Sequence, residues 1–250
     1  MNLLIVAPQW IGDCVMAQPL VALLRQRHRS ARIVALAMPH IAPVLRAMPQ
    51  IDDVIAAPFE HGRLQWGLRR QLARDLRAQR FDVAYVLPNS LKSALVPWLA
   101  GIAQRVGYHG EGRWGLINDR LPNPPAHERP LMTLHYTALA RLTAAPLLQP
   151  RLACDAQLAA GARAKFALPE RFVALAPGAE YGPAKQWPAA HFRRVAEFAV
   201  EAGYHVALLG GKNDTAVGDE IAQGHARVHN LCGRTALSDA IALLAAADGV

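Results

Sequence analysis

The chain alternates short unbroken apolar runs with longer stretches in which apolar residues recur every three or four positions. Runs at 3–7 (LLIVA), 32–37 (RIVALA), 54–57 (VIAA), 82–87 (DVAYVL) and 105–108 (RVGY) lie in the first half. Runs at 172–176 (FVALA), 205–209 (HVALL) and 228–231 (VHNL) lie in the second. Most are apolar at both odd and even positions, as expected of strands covered on both faces of a parallel sheet. Between them, the spacing predicts helices over 13–28, 41–48, 67–79, 91–100, 131–142, 156–166, 188–201, 214–223 and 237–246. Strand, glycine- or proline-bearing turn and helix repeat through both halves. The pattern predicts an α/β fold of two Rossmann-like domains, 1–145 and 156–250, facing across a cleft. Residues 143–155 carry Pro146 and Pro150, lack periodicity, and are the expected linker. The next strand would begin at 248–250, where the sequence ends, so the second domain is expected to be incomplete.

Composition limits the class. A 52% hydrophobic and 18% charged chain is globular rather than disordered. No apolar run is long enough for a transmembrane helix, and no leader precedes the first strand, so a cytoplasmic protein is expected. Cys14, Cys154 and Cys232 are widely spaced and odd in number, which suits reduced thiols. The formal charge is +8, and arginine dominates the first half at Arg63, Arg69, Arg70, Arg74, Arg77, Arg80, Arg105, Arg113 and Arg120. Such a surface attracts phosphates, nucleic acid or an anionic membrane; solvated helix faces account for it equally. No RNA-binding aromatic motif, zinc finger or lysine-rich tail is present, so nucleic acid is not the expected partner. Neither a G-x-G-x-x-G fingerprint nor a GKS/GKT loop occurs.

The candidate chemistry lies at the ends of the strands. After the run at 3–7 comes Trp10-Ile11-Gly12-Asp13. A carboxylate at a helix start is ordinarily an N-cap. The alternative is a general base that takes the proton of an attacking hydroxyl, with Gly12 allowing close approach. After the run at 172–176 comes PGAEYGPAKQWP, from Pro177 to Pro188. Its glycines, prolines and Lys185 suit a diphosphate at a helix N-terminus; an ordinary loop with a surface lysine is the plain reading. Gly210-Gly211-Lys212-Asn213-Asp214 follows the next strand, as a nucleoside platform or as a turn closed by Asp214. Asn89, Ser90, Lys92 and Ser93 end the run at 82–87, either capping a helix or holding sugar hydroxyls and phosphate. His40, His61, His109, His127, His135 and His191 show no H-x-x-x-H or H-E-x-x-H spacing, and no metal is expected.

Three blocks together, APQWIGDCVMAQPL, FDVAYVLPNSLKSALVPWLAGIAQRVGYHGEGRWGLIND and APGAEYGPAKQWP, resemble the lipopolysaccharide heptosyltransferases, family 9 of the GT-B glycosyltransferases. The resemblance implies an N-terminal domain for the acceptor, lipid A–Kdo–heptose, and a C-terminal domain for the donor, ADP-L-glycero-D-manno-heptose. It places Asp13 at the catalytic base; Trp10, Gly12, Asn89, Ser90 and Lys92, by their place at the same sheet edge, are the expected acceptor residues. Lys185, beside Glu180, Tyr181 and Gly182, falls at the nucleotide-sugar phosphates, and Gly211 and Lys212 near the nucleoside. It further implies inverting transfer without metal or cofactor, by a cytoplasmic protein peripheral to the inner leaflet. The family continues with a strand and an Asp-Ser-Gly-x-x-His-type loop that grips the diphosphate. Because this sequence ends at Val250, weak donor binding and little or no turnover are expected of it. A nucleotide-sugar epimerase, or a remnant that binds acceptor alone, are the competing readings; an epimerase needs several acid and base groups around the sugar.

Overall fold

The computed structural model describes residues 1–60, 62–142, 147–179 and 183–250. It has two compact units, Met1–Leu152 and Ala153–Val250.

The first unit holds six parallel strands: β1 (Asn2–Val6), β2 (Arg32–Ala37), β3 (Asp53–Ala56), β4 (Val83–Val86), β5 (Gln104–Tyr108) and β6 (Asp119–Leu121). Their order is β3-β2-β1-β4-β5-β6, so the sheet reverses direction of growth between β1 and β4. Leu4, Val6, Val34, Leu36, Ala84 and Val86 face α4 (Trp66–Ala78) and α5 (Leu91–Leu99). Leu3, Ile5 and Ile33 point to the other face by strand alternation and are as fully buried. On that side α1 (Ile11–Met16), α2 (Gln18–Arg27), α3 (Ala42–Arg46) and α6 (Met132–Thr137) pack on one another. Burial on both faces is why β1, β2 and β4 read as unbroken apolar runs.

The stretch expected as one helix from 13 to 28 is two. It starts at Ile11 rather than Asp13 and breaks at Ala17, where Pro19 sits in the first turn of α2 and cannot donate to the turn before it. The strand β6, with the polar sequence DRL and all three residues half-buried, was not foreseen.

The second unit, taken by itself, has β7 (Phe172–Leu175), β8 (His205–Leu208) and β9 (Val228–Asn230), parallel and in that order. Gly249 pairs with Val173 on the outer side of β7. Its order therefore repeats the β3-β2-β1-β4 half of the first sheet. One face carries α7 (Ala156–Lys165) and α10 (Leu237–Ala246), through Ala162, Leu168, Ala242 and Leu243. The other carries α8 (Ala189–Glu201) and α9 (Thr215–Ala222), through Ala196, Ala199 and Ile221.

Candidate active site

In the first unit the loops after β1 and β4 enclose an open hollow of about 680 Å³, solvent at its mouth included. This is the reversal point of the sheet, where open α/β folds present ligands beyond the carboxyl ends of their strands. Its walls are Gln9, Trp10 and Asp13 after β1, Asn89 and Ser90 after β4, and Met132 and Tyr136 from α6. Of the predicted acceptor residues, Trp10, Asn89 and Ser90 come together with Asp13. Gly12 and Lys92 do not line this hollow; Lys92 lines a neighbouring one.

Asp13 is not an N-cap. Trp10 holds that position in extended backbone, with no side-chain cap, and Asp13 lies in the first turn of α1. Among the described residues its carboxylate accepts no hydrogen bond and makes no ion pair, although it is half-buried. Burial raises its pKa above the usual aspartate range. Among the described residues it is the sole acid on the hollow's wall. A partly desolvated carboxylate with unused lone pairs suits proton abstraction better than structural support.

The loop after β4, by contrast, is locked. Ser90 caps α5, its Oγ accepting from the Ser93 amide at 3.4 Å, so the capping reading of this stretch holds. Arg113, 2% exposed, donates from Nη1 to the Pro88 carbonyl at 2.6 Å and from Nη2 to Asn89 Oδ1 at 3.0 Å. The Glu111 amide donates to the Asn89 carbonyl, and Glu111 Oε2 accepts from the Leu91 amide. A Cβ on Gly110 would stand 2.2 Å from the Asn89 oxygen, so glycine is required there for the two loops to close on each other. Asn89 and Ser90 are thus held before any ligand arrives. Arg113 and Arg69, expected on a basic surface, are both buried and hold loops through carbonyl oxygens. The arginines of the ARDLRAQR helix, Arg74, Arg77 and Arg80, are exposed.

Tyr136 and Met132 line the hollow from α6, more than 100 residues along the chain, and sequence reasoning missed them. Tyr136 is 5% exposed, and its hydroxyl makes no hydrogen bond among the described residues. Burial raises its pKa, and the charges of Asp13 and Cys14 raise it further. The neighbouring Cys14 thiol is pushed up to about 12 by burial, then by Asp13, which makes it an inert core residue.

In the second unit, Glu180, Tyr181 and Gly182 lie outside the described residues. Lys185 ends a 3₁₀ turn (Pro183–Lys185) after β7, and its side chain is exposed. Trp187 stacks on His191 and meets Phe192 edge-on. Pro188 is the N-cap of α8. Lys212 lies in the 3₁₀ turn Lys212–Asp214 after β8. Asp214 closes that turn rather than α9, its Oδ2 accepting from the Gly211 amide at 2.7 Å. Among the described residues no three His, Cys, Asp or Glu side chains cluster as a metal would require. His225 and His229 are four apart in sequence, but no helix joins them. His229 Nε2 instead lies 2.9 Å from His205 Nδ1 on the adjacent strand.

The model of glycosyltransferase family 9 (heptosyltransferase) matches residues 69–250. The chain is 40% identical over 267 aligned positions to lipopolysaccharide heptosyltransferase 2 of Escherichia coli K12, covering 100% of this chain and 76% of that protein. It is 38% identical to lipooligosaccharide heptosyltransferase 2 of Haemophilus influenzae, over 98% of this chain and 75% of that one. The solved structure of E. coli ADP-heptose LPS heptosyltransferase II superposes with a TM-score of 0.88 at 38% identity, covering 99% of this chain and 77% of that chain.

Proposed function

The chain belongs to glycosyltransferase family 9, the heptosyltransferases, and on that premise we propose that it moves heptose from ADP-L-glycero-D-manno-heptose onto the heptose of the lipopolysaccharide inner core. The first unit holds the acceptor and the second the nucleotide sugar. The observation that carries the reading is Asp13: an unpartnered, half-buried carboxylate at the reversal point of the first sheet.

In the transfer, Asp13 takes the proton of the acceptor hydroxyl as its oxygen attacks the anomeric carbon. The bond from that carbon to the diphosphate oxygen breaks on the opposite side. The sugar inverts and ADP leaves with the bonding electrons. Trp10, Asn89 and Ser90 orient the acceptor. The Tyr136 hydroxyl is available to hold the acceptor oxygen against Asp13. Lys185 offsets the charge that grows on the departing diphosphate, so no metal is needed. Glu180, Tyr181 and Gly182 complete that loop, and Gly211 and Lys212 meet the nucleoside. No helix among the described residues is long and apolar enough to cross a membrane. The exposed arginines are placed to meet the anionic inner leaflet from the cytoplasmic side.

The test is transfer, by a chain extended to the length of its relatives, from ADP-heptose to a heptose-bearing core oligosaccharide, with the product's anomeric configuration read by NMR. Inversion that persists in a chelator supports the reading; retention, or loss of the rate with chelator, contradicts it. Lys185→Gln is expected to weaken ADP binding by about tenfold, the loss of one charge-assisted contact.

A further inference from the structure

Tyr136 reaches the Asp13 hollow from α6, a helix of only six residues. Before it runs a stretch holding Pro122, Pro124, Pro125 and Pro130, and after it a 3₁₀ turn (Ala138–Ala140). So short a helix has little stability of its own and takes its position from what it packs on.

Tyr108, at the end of β5, holds this helix twice through one residue. The His135 ring lies flat on the Tyr108 ring, with centres 3.9 Å apart and planes tilted by 8°. The Tyr108 hydroxyl donates to the His135 backbone carbonyl at 2.5 Å. That carbonyl is one of the last four of α6, which a helix leaves without partners of its own. Both side chains are buried, so stack and bond are shielded from water. His135 then meets Tyr136 edge-on, with centres 5.9 Å apart at 71°. A run of rings thus leads from the end of β5 to the hollow. Burial, and then the charge of Arg129, lowers the His135 pKa, so the imidazole stays neutral in this setting. Its Nδ1 is buried with no partner among the described residues. An aliphatic side chain would fill the space without that cost; a flat ring is what the Tyr108 face requires.

We propose that Tyr108 and His135 are positioning residues, which together set the turn of α6 that carries the Tyr136 hydroxyl to the acceptor oxygen beside Asp13. The part that hydroxyl plays in transfer rests on the reading above; the placement of Tyr136 against Asp13 does not.

The test reads Tyr136 directly, by NMR of the chain itself with tyrosine labelled at the phenol carbon. The charge of Asp13 acts on the Tyr136 hydroxyl. In the wild type the Tyr136 signal therefore moves as Asp13 ionises, and Asp13→Asn removes that movement. Tyr108→Phe keeps the stack and deletes the bond to the carbonyl; His135→Ala deletes the ring. Each is expected to lose most of the movement, whereas His135→Phe, which keeps a flat ring, retains it. An unchanged Tyr85 signal, from β4, reports an intact sheet in each variant. Should His135→Ala unfold the unit, Tyr108→Phe decides alone. A Tyr136 signal indifferent to Asp13 in the wild type, or one that follows Asp13 undiminished in either variant, overturns the proposal. In a chain extended to the length of its relatives, Tyr108→Phe should lower kcat by about tenfold, as for a misplacement of a fraction of an ångström. Donor KM should not change. Once Tyr136 is replaced by Phe, Tyr108→Phe should cost nothing more, because both act through one hydroxyl. Losses that multiply overturn the proposal. A kcat indifferent to Tyr136→Phe, with its placement intact by NMR, counts against the hydroxyl's part in transfer alone.

Discussion

Asp13 and Asp214 are both aspartates just beyond a parallel strand, beside glycine, and the fold treats them oppositely. Asp214 is enclosed: its Oδ2 holds the Gly211 amide, and a Cβ on Gly178 or Gly210 would come within 2.4 and 2.8 Å of its carboxylate. Those glycines exist to make room for it. Asp13 has no such enclosure. Its carboxylate meets no donor among the described residues, and a Cβ on Gly12 would find nothing within 4 Å. Asp214 holds a loop in shape, whereas Asp13 has its bonding capacity free for something from outside. In sequence both are aspartates that follow glycine after a strand, Gly12-Asp13 and Gly210-Gly211-Lys212-Asn213-Asp214; accounting for each carboxylate's partners tells them apart.

Substitutions at the two sites sharpen the contrast. In a chain extended to the length of its relatives, Asp13→Asn should lower kcat by about a thousandfold, within the range of general-base contributions, while ADP affinity by titration stays near that of its parent. Gly178→Ala should leave the chemistry of Asp13 untouched yet cost about 2 kcal/mol in denaturant unfolding, since Asp214 must give up its place. Most of that loss should vanish in the double variant with Asp214→Ala, the coupling expected of neighbours. Asp214→Ala alone should cost about 1 kcal/mol, the ordinary value of a capping carboxylate. Smallest and opposite in sign, Gly12→Ala should be neutral or stabilising by up to about 1 kcal/mol, as for alanine replacing glycine in a helix. A large loss of stability there would show that Gly12 is structural after all.

Much of this was legible in the chain. Strands β1, β2, β4, β7 and β8 declared themselves because two-sided burial leaves continuous apolar runs, whereas the cap before α5 was narrowed only to Asn89 or Ser90 until the structure showed Ser90 Oγ accepting from the Ser93 amide. Asp13 was visible as a candidate, but its two readings separate only when the helix start at Ile11 is known, since two residues decide whether a carboxylate caps a turn or leaves it. The polar β6 gave no signal. Arg69 and Arg113 look like surface arginines in sequence, because their partners are carbonyl oxygens, which no side-chain pattern reports. Tyr136 has the spacing of a core residue, and only tertiary packing brings it beside Asp13.

The central claim is that Asp13 is the base, and the pH dependence of kcat/KM tests it most directly. Burial favours the protonated form of Asp13 in the folded enzyme, so its active carboxylate emerges at a higher pH than that of an ordinary aspartate. By the same linkage the native state holds that proton longer than the unfolded chain, and Asp13 takes stability away as pH rises between the two pKa values. Asp13→Asn should accordingly be slightly more stable at neutral pH, with the gain gone in acid. The account predicts an acidic limb in the wild-type rate, set above the usual aspartate range, that is absent from the residual rate of Asp13→Asn. An unchanged limb in Asp13→Asn, or a wild-type rate from it, would contradict the account.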